Sequence, residues 1–255
     1  MATGKAVRMN RIKGADGKIL MVSMDQAAVA GPVGRLRDPQ EAVLSAVEGA
    51  PDCLLLTRGT LGQGWRAIPA GLGLIMRISG GFTILEGARE FRDRLISGVE
   101  DALRWGADGV AVTVKFGHEL EGEFIQKVSE VADACDRWGV PLLIEALVTL
   151  RSSAGLSEEE ALAVAARAAA ELGADLVQLP YPAKGGRLSE AVKGCPVPVV
   201  VGEGEKAGEG ETAEIARRAL EDGAAGVAVG RSLWGMDDPQ ALLRELGAMM
   251  GRSGT

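Results

Sequence analysis

Lys115 stands at the end of an apolar run, in the stretch GVAVTVKFGHE that spans residues 109–119. Lysine is scarce in this chain, and a lysine that follows such a run is either paired with an acid or available to a substrate. A partly desolvated lysine keeps a neutral amine near neutral pH, and this amine can form a Schiff base with a carbonyl compound. The residues therefore indicate carbonyl chemistry, provided that an acid or base lies within reach.

Two acids and one histidine could carry protons for Lys115. Glu145 belongs to the end of the next apolar run, and Asp25 ends the first one. Glu145 and Lys115 could form a catalytic pair or a static ion pair, because an adjacent carboxylate raises the pKa of a lysine and so opposes nucleophilic attack. His118, the only histidine, could be a general base on the following loop, although a loop histidine is often merely solvated.

Cations and glycines that follow the other apolar runs could bind the charged end of a substrate. The arginines after the second and third runs could hold a phosphate or carboxylate, or they could neutralise Asp25 and Glu145. The stretches VVVGEGEK and VAVGRSLW have the glycines and cations of a phosphate site, which Glu203 opposes because its carboxylate would repel the anion. The candidate substrate-binding and phosphate-binding residues are Arg58, Arg77, Ser79, Gly204, Lys206, Gly230 and Arg231.

Eight short apolar runs must position these residues. They are nearly continuous in Val, Ile, Leu and Ala, which is typical of parallel strands that are covered on both faces. Most are separated by stretches of helical period, such as residues 89–106, and only residues 59–72 leave no room for a good helix. Three of the helices should end at Gly106, Gly173 and Gly223. The runs are KILMVSMD, DCLLLTR, GLIMRIS, GVAVTVK, VPLLIEALV, DLVQL, VPVVVG and GVAVG.

This alternation predicts an α/β protein built as one (β/α)8 TIM barrel, a single domain over residues 1–255. The usual size of this fold is about 250 residues. A doubly wound open sheet is the alternative, but the sequence marks neither a reversal of strand order nor a dinucleotide-binding turn. The carboxyl ends of barrel strands meet at one mouth, where active sites lie. The charged residues after the strands should therefore gather there.

The composition limits the partners and the location of the chain. A net charge of −7 without a basic run argues against nucleic acid or an anionic membrane as a partner. No stretch has the ~20 apolar residues of a membrane span, and the N-terminus lacks the apolar core of a signal peptide. The three cysteines are far apart and odd in number. They are expected to be reduced core residues of a cytoplasmic protein.

Four stretches carry a family resemblance: RMNRIKGADGKILMVSMDQAAVAGPVGRLRDP, GLGLIMRISGG, CDRWGVPLL and GAAGVAVGRSLW. They are similar to the archaeal-type class I fructose-bisphosphate aldolases, and still more to aminodideoxyheptulosonate synthase and the autoinducer-2 thiolase. The likeness runs from about residue 8 to the C-terminus. It implies an aldolase-like enzyme, commonly a homo-oligomer, which makes, breaks or rearranges carbon–carbon bonds in a phosphorylated or carboxylated carbonyl metabolite.

The resemblance carries over only in part. In that family a lysine on the sixth strand forms a Schiff base, while an aspartate on the first strand and a tyrosine on the fifth handle protons. The aspartate corresponds to Asp25, whereas the tyrosine position is Leu147 and the lysine position is Pro180, which has no amine. The family's lysine chemistry would therefore need a relocated amine. Lys115 is the candidate, and Lys184 is expected to be solvated.

Three functions remain open at this point. The first is an aldolase that needs no cofactor and uses Lys115, Glu145 and Asp25 as its reactive groups. The second is a lyase or isomerase in which a divalent cation polarises the carbonyl in place of an imine. Its cation ligands would be Asp25, Glu145, Glu203 and His118. The third is a non-catalytic relative that only binds a phosphorylated metabolite.

Overall fold

The structure is a computed structural model that describes most of the chain. The described residues are 3–86, 92–150, 155–182, 186–204 and 210–252. Two lysines singled out in the sequence, Lys184 and Lys206, lie outside these ranges. Within them, no helix has the length and apolar character that crossing a membrane would require.

Eight parallel strands close into a barrel, which confirms the predicted fold. Each barrel strand pairs with the next one along the chain, and the last pairs with the first. Every strand overlaps one of the eight apolar runs. The strands are β1 (Ile19–Ser23), β2 (Cys53–Leu56), β3 (Gly73–Arg77), β6 (Gly109–Phe116), β7 (Leu142–Val148), β8 (Leu176–Pro180), β9 (Val199–Gly202) and β10 (Gly226–Val229).

Helices connect the strands around the barrel. The glycines predicted to end three of them, Gly106, Gly173 and Gly223, have φ angles of 82°, 97° and 94°. These values lie in the left-handed region that favours glycine, so the prediction is confirmed. The helices are α1 (Thr3–Ile12), α2 (Ala27–Ala30), α3 (Pro39–Glu48), α4 (Arg58–Gly64), α5 (Val99–Arg104), α6 (Glu121–Trp138), α7 (Glu158–Glu171), α8 (Ser189–Gly194), α9 (Thr212–Glu221) and α10 (Pro239–Met249).

The helix predicted over residues 89–106 is wrong over residues 92–98, and residues 89–91 lie outside the described part. Within the described part, helix α5 begins only at Val99, after Gly98 in an extended conformation. Upstream of it, strand β5 (Arg94–Leu95) pairs antiparallel with strand β4 (Ser79–Gly80). A small two-stranded sheet therefore lies beside the end of β3, where the helical period of the sequence indicated a longer helix.

The link over residues 59–72 also differs from the prediction, because it does hold a helix. Thr57 caps helix α4 by accepting a hydrogen bond from the backbone N–H of Thr60 at 3.3 Å. A threonine cap of this kind satisfies one of the free N–H groups at a helix start. A turn of 3₁₀ helix, Trp65–Ala67, continues the chain toward β3.

The lower part of the barrel interior is apolar. Side chains from alternate positions of the strands form one cluster there, and Met9 and Ile12 of helix α1 close it from the N-terminal end. Burial of this layer supplies stability but no chemistry. Its members are Met9, Ile12, Ile19, Met21, Cys53, Leu55, Ile75, Ala111, Leu143, Leu176, Val200 and Ala228.

The three cysteines are core residues, as the sequence predicted. Cys53, Cys135 and Cys195 are buried and carry free thiols. Burial raises the pKa of Cys135 to about 12, which keeps its thiol protonated and unreactive at neutral pH.

Candidate active site

The barrel interior becomes polar one layer above the apolar cluster. Side chains alternate along a strand, so residues two positions further on face the same interior. This layer lines a cavity of about 890 Å³ at the carboxyl ends of the strands, a size usual for small-molecule sites. The residues that the layer presents to the cavity are Ser23, Thr57, Arg77, Thr113, Glu145, Gln178, Gly202 and Gly230.

Arg77 is the centre of this layer, with 8% of its side chain exposed. Its Nε donates to Oδ2 of Asp25 at 2.8 Å and its Nη2 to Oε2 of Glu145 at 3.0 Å. Burial lowers the pKa of Arg77, but the two carboxylates raise it more, so the guanidinium stays charged. Of the two roles that the sequence left open for Arg77, the structure shows the neutralisation of Asp25 and Glu145.

Thr113 connects Arg77 to Glu145 from a third strand. Its hydroxyl accepts from Nη1 of Arg77 at 2.8 Å and donates to Oε2 of Glu145 at 2.7 Å. Its backbone N–H donates to the Ser79 hydroxyl at 3.0 Å, so the predicted site residue Ser79 also belongs to this network. Thr113 was not among the predicted site residues, although it lies two residues before Lys115 and hence on the same face of β6.

A buried ion pair lies at the side of the polar layer. Nζ of Lys127, on helix α6, contacts the carboxylate of Asp93 and donates to the backbone oxygen of Thr113 at 2.8 Å. Burial lowers the pKa of Lys127 and raises the pKa of Asp93, which lines the cavity. Neither residue was among the predicted site residues, but the position of Lys127 in the sequence indicated that it is buried. It falls on the buried face of α6, three residues after Phe124 and four before Val131.

Gln178 is the residue that β8 presents to the cavity. Its Nε2 lies 3.4 Å from Oε1 of Glu145, and its Oε1 is buried without a hydrogen-bond partner. Gly202 leaves room for this amide, because a Cβ there would lie 3.0 Å from Nε2. Pro180, where the resemblance located the family's lysine, is not among the cavity-lining residues. Strand β8 reads LVQLP, so neither of these positions supplies an amine.

Lys115 lies nearer the mouth of the barrel. The alternation along β6 gives it the same facing as Thr113, and its partner across the ladder to β7 is Leu147. Leu147 lines the cavity, whereas Lys115 is not among the lining residues. Glu145 stands instead opposite Thr113. The structure thus brings Asp25 and Glu145 together around Arg77, whereas Lys115 is not part of the cavity lining.

His118 and Arg58 also lie away from the cavity lining. Nδ1 of His118 accepts a hydrogen bond from the backbone N–H of Leu120 at 3.1 Å, and its ring packs near Phe124. Arg58 is the exposed first residue of helix α4. Of the proposed cation ligands, Asp25, Glu145 and Glu203 line the cavity, whereas His118 does not. Among the described residues, no group of three or more His, Cys, Asp or Glu could hold a metal ion.

The loops after β9 and β10 are joined by a carboxylate. Oε2 of Glu203 accepts from the backbone N–H of Ser232 at 3.1 Å, and Oε1 accepts from the Ser232 hydroxyl. Thr212 donates to that hydroxyl at 2.9 Å. Nη2 of Arg231 reaches the backbone oxygens of Glu203 and Gly204 at 3.5 and 3.4 Å. Of the predicted phosphate-loop residues, Gly204, Gly230 and Arg231 lie at this corner and Lys206 lies outside the described residues, while Glu203 occupies the two donors of Ser232.

Gly230 and Trp234 shape the rest of this corner. A side chain at Gly230 would collide with the amide of Gln26, so glycine is required there. The amide oxygen of Gln26, like that of Gln178, is buried without a hydrogen-bond partner. Nε1 of Trp234 donates to the backbone oxygen of Ser23 at 2.9 Å, which fixes the last loop against the first strand.

The chain is similar to known proteins over nearly its whole length. The model of a family described as "DeoC/LacD family aldolase" matches residues 19–235. The chain is 30% identical to 2-amino-3,7-dideoxy-D-threo-hept-6-ulosonate synthase 1 of Archaeoglobus fulgidus, over 95% of this chain and 89% of the relative. It is also 30% identical to 3-hydroxy-5-phosphonooxypentane-2,4-dione thiolase of Shigella flexneri, over 94% of this chain and 90% of the relative.

A solved structure of a Schiff-base-forming fructose-1,6-bisphosphate aldolase has the same fold. It superposes with a TM-score of 0.83 at 26% identity and covers 96% of this chain and 99% of its own. These matches confirm the resemblance that the sequence motifs indicated.

Proposed function

The chain belongs to the DeoC/LacD family of aldolases, and on that premise we propose that it works by acid–base catalysis without a lysine imine. As an aldolase-type enzyme, it forms or cleaves a carbon–carbon bond. One observation carries the proposal: the buried Arg77 guanidinium joins the carboxylates of Asp25 and Glu145 inside the cavity. The substrate is a small carbonyl compound, which a cavity of about 890 Å³ can enclose.

The lining of the cavity supports a reaction without an imine. An imine needs an amine that reaches the substrate carbonyl, and the described lining residues include no lysine. On β8, where the resemblance locates the family's lysine, Gln178 faces the cavity instead. Its amide cannot form an imine, but its N–H groups can donate a hydrogen bond to the carbonyl oxygen of a substrate.

Arg77 supplies the positive charge that carbon–carbon cleavage requires. When the bond beside a carbonyl breaks, the bonding electrons move onto the carbonyl fragment, and its oxygen becomes negative. A charged donor that is held rigidly near this oxygen lowers the barrier, because it does not have to reorient during the reaction. Arg77 is held in this way by Asp25, Thr113 and Glu145.

Glu145 is the best-positioned proton carrier. Thr113 fixes its Oε2, and the amide of Gln178 lies beside its Oε1. In the cleavage direction, the carboxylate takes the proton of the substrate hydroxyl as the carbon–carbon bond breaks. The same proton then goes to the carbanionic carbon, which leaves the carboxylate as it began. Asp25, on the other side of Arg77, is the second carboxylate that can exchange a proton with the substrate.

Substitution of the proton carrier tests this proposal. A panel of short hydroxy ketones, aldehydes and keto acids is assayed for cleavage and condensation with the wild type and with Glu145→Gln. We expect kcat to fall by about 10²–10⁴, which is the usual contribution of a positioned acid or base. Glu130→Gln, an exposed change on α6, serves as the matched control. Equal activity of Glu145→Gln and the control would contradict the proposal.

An imine on Lys115 is the second candidate function. It is favoured by the facing of Lys115, which is that of the cavity-lining Thr113, and by its partial burial. Lys115→Met separates the two candidates. Acid–base catalysis predicts a change in kcat of less than about tenfold, because Lys115 is outside the cavity lining. Loss of the nucleophile of an imine mechanism would abolish turnover.

A further inference from the structure

We propose that Glu203 is a built-in replacement for a substrate phosphate, so that the substrate presents an uncharged, hydroxyl-bearing end to the last two loops of the barrel. This inference deepens the proposed function and rests on it only in taking the cavity as the substrate site. It departs from the phosphate site that the glycines and cations of these loops predicted. It is carried by the hydrogen bonds of Glu203, by the charges of the cavity wall and by two buried amide oxygens.

The first support is the position of the Glu203 carboxylate. In TIM barrels, a phosphate commonly binds to backbone N–H groups in the loops after the seventh and eighth strands. In this chain the corresponding strands are β9 and β10, and the N–H of Ser232 after β10 donates to Glu203 at 3.1 Å. The Ser232 hydroxyl donates to the second carboxylate oxygen. The two oxygens of Glu203 therefore take the donors that a phosphate would use.

The loop is built to keep the carboxylate there. Thr212, at the start of helix α9, donates to the Ser232 hydroxyl and so orients its proton toward Glu203. Nη2 of Arg231 extends to the backbone oxygens of Glu203 and Gly204, a contact that ties the two loops together. The bonds to Glu203 run between the two loops, which makes its carboxylate a structural anion.

The second support is the charge of the cavity wall. Four carboxylates line the cavity among the described residues, against two guanidinium groups, and Lys127, outside the lining, pairs with one of these carboxylates, Asp93. A phosphate dianion placed beside Glu203 would meet a like charge at close range, and among the described residues of these two loops Arg231 is the one cation. The carboxylates are those of Asp25, Asp93, Glu145 and Glu203, and the guanidinium groups are those of Arg77 and Arg231.

The third support is a pair of buried acceptors that need donors. The amide oxygens of Gln26 and Gln178 are buried without a hydrogen-bond partner, and both residues line the cavity. A buried acceptor left unpaired is costly, so each of these two oxygens is a place where a substrate could donate a hydrogen bond. A hydroxyl group supplies this donor, whereas a phosphate dianion carries only acceptors.

Binding of inorganic phosphate tests the role of Glu203 without any need for turnover. We would titrate phosphate at constant ionic strength into the wild type, Glu203→Ala and Glu203→Gln, and record the ³¹P linewidth and the melting temperature. Removal of the carboxylate frees the Ser232 N–H and deletes the repelling charge. We expect phosphate to bind Glu203→Ala at least about tenfold more tightly than it binds the wild type. Glu203→Gln, which loses the charge but keeps one acceptor oxygen for Ser232, should lie between them.

Several outcomes would overturn the inference. It fails if the wild type binds phosphate as tightly as Glu203→Ala, or if neither variant gains phosphate affinity while circular dichroism shows both folded. Glu190→Gln is the matched control, because it removes a carboxylate that is 83% exposed on helix α8. A gain of phosphate affinity in this control equal to that of Glu203→Ala would also contradict a specific role of Glu203.

Paired substrates separate this inference from the proposed function. Dihydroxyacetone and its phosphate, and glyceraldehyde and its phosphate, differ only in the group that Glu203 would exclude. The inference predicts that the wild type prefers the unphosphorylated member of each pair and that Glu203→Ala shifts the ratio toward the phosphorylated one. A wild-type preference for the phosphorylated members would contradict the inference and leave the proposed function intact. If no carbonyl compound is turned over, the proposed function fails, while the phosphate titration still decides the role of Glu203.

Discussion

Arg77 carries both the electrostatics of the site and a share of the stability of the fold. It is a buried cation between two carboxylates, which are themselves only partly exposed. Such a group is costly to desolvate, and its removal is worse, because it leaves its partners charged and unpaired in a low-dielectric place. The geometry that holds the catalytic charge therefore also makes residue 77 sensitive to substitution.

Arg77→Met should lower the free energy of unfolding by about 3–5 kcal/mol, because Asp25 and Glu145 lose their common partner. Urea denaturation at pH 7 measures this difference. Arg104→Met, which breaks an exposed ion pair with Asp101, is the matched control and should cost at most ~1 kcal/mol. Equal losses in the two variants would show that Arg77 is not the electrostatic centre of the layer.

Gln178 is the residue that β8 presents to the cavity, and its amide cannot form the Schiff base that an amine there could form. Its position faces the cavity and lies beside Glu145. Gln178→Lys should therefore place an amine in the site. After treatment with a short ketone and borohydride, this variant should carry a covalent adduct, and the wild type should not. Peptide mapping would locate the adduct at residue 178. A folded variant that forms no adduct would mean that position 178 does not reach the substrate.

Among the secondary-structure elements, helix α1 acts as the floor of the barrel. Met9 and Ile12 close the apolar layer, and Lys5 joins the helix to the barrel through Asp175 at 2.8 Å. A second carboxylate, Asp136 on α6, lies 2.6 Å from the same ammonium group. Burial lowers the pKa of Lys5, but the hydrogen bonds to Asp136 and Asp175 raise it above its ordinary value of 10.5.

The raised pKa of Lys5 predicts a pH dependence of stability. In the folded protein the lysine holds its proton more tightly than in the unfolded chain. Its contribution should be complete below about pH 10.5 and should be lost as the pH rises through the folded pKa. Lys5→Met should cost roughly 1–3 kcal/mol at pH 8, and its difference from the wild type should shrink by pH 11. Denaturation curves between pH 8 and 11 measure this difference, and a constant difference would contradict the assignment.

The elements were predictable to different degrees. The eight strands are buried on both faces, so each gives an apolar run that is visible without the structure. The helix over residues 89–106 failed because Arg94–Leu95 pairs with Ser79–Gly80, a contact between distant segments. Helix α4 was not predicted, because the glycines in its sequence made the helix cap at Thr57 difficult to identify.

A residue of the site could be predicted only where its position along a strand was enough to identify it. Asp25, Arg77 and Glu145 were identified because each lies near the carboxyl end of a strand. Their common geometry was not, because it depends on the register between strands that sequence alone does not fix. Asp93 and Lys127 are 34 residues apart and meet only in the folded barrel. The resemblance located the family's lysine at Pro180, whereas the residue of β8 that lines the cavity is Gln178.

The whole molecule is a closed barrel with an apolar floor and a charged mouth, as the fold class implied. The single domain over residues 1–255, the homo-oligomeric state and the cytoplasmic location remain predictions. The net charge of the chain is −7, and the four carboxylates of the cavity wall are also negatively charged groups. The inference that Glu203 replaces a substrate phosphate predicts that this mouth favours neutral compounds over phosphorylated ones.

Removal of metal ions should leave the activity unchanged. The carboxylates of Asp25 and Glu145 are engaged by Arg77, and that of Glu203 is engaged by Ser232. These side chains would have to leave their partners before they could coordinate a cation. Dialysis against a strong chelator, followed by the carbonyl assay with and without added Mg²⁺, Mn²⁺ or Zn²⁺, checks this expectation. Loss of turnover that one of these ions restores would favour the metal-assisted alternative.

Borohydride trapping during turnover tests the central claim most directly. The wild type is incubated with each carbonyl compound that it converts, treated with borohydride and analysed as intact protein by mass spectrometry, with Gln178→Lys as the positive control. Acid–base catalysis around Arg77 predicts an unmodified mass and undiminished activity after the reductant is removed. A substrate-dependent adduct on any lysine of the wild type, Lys115 first among them, would contradict it and establish an imine mechanism.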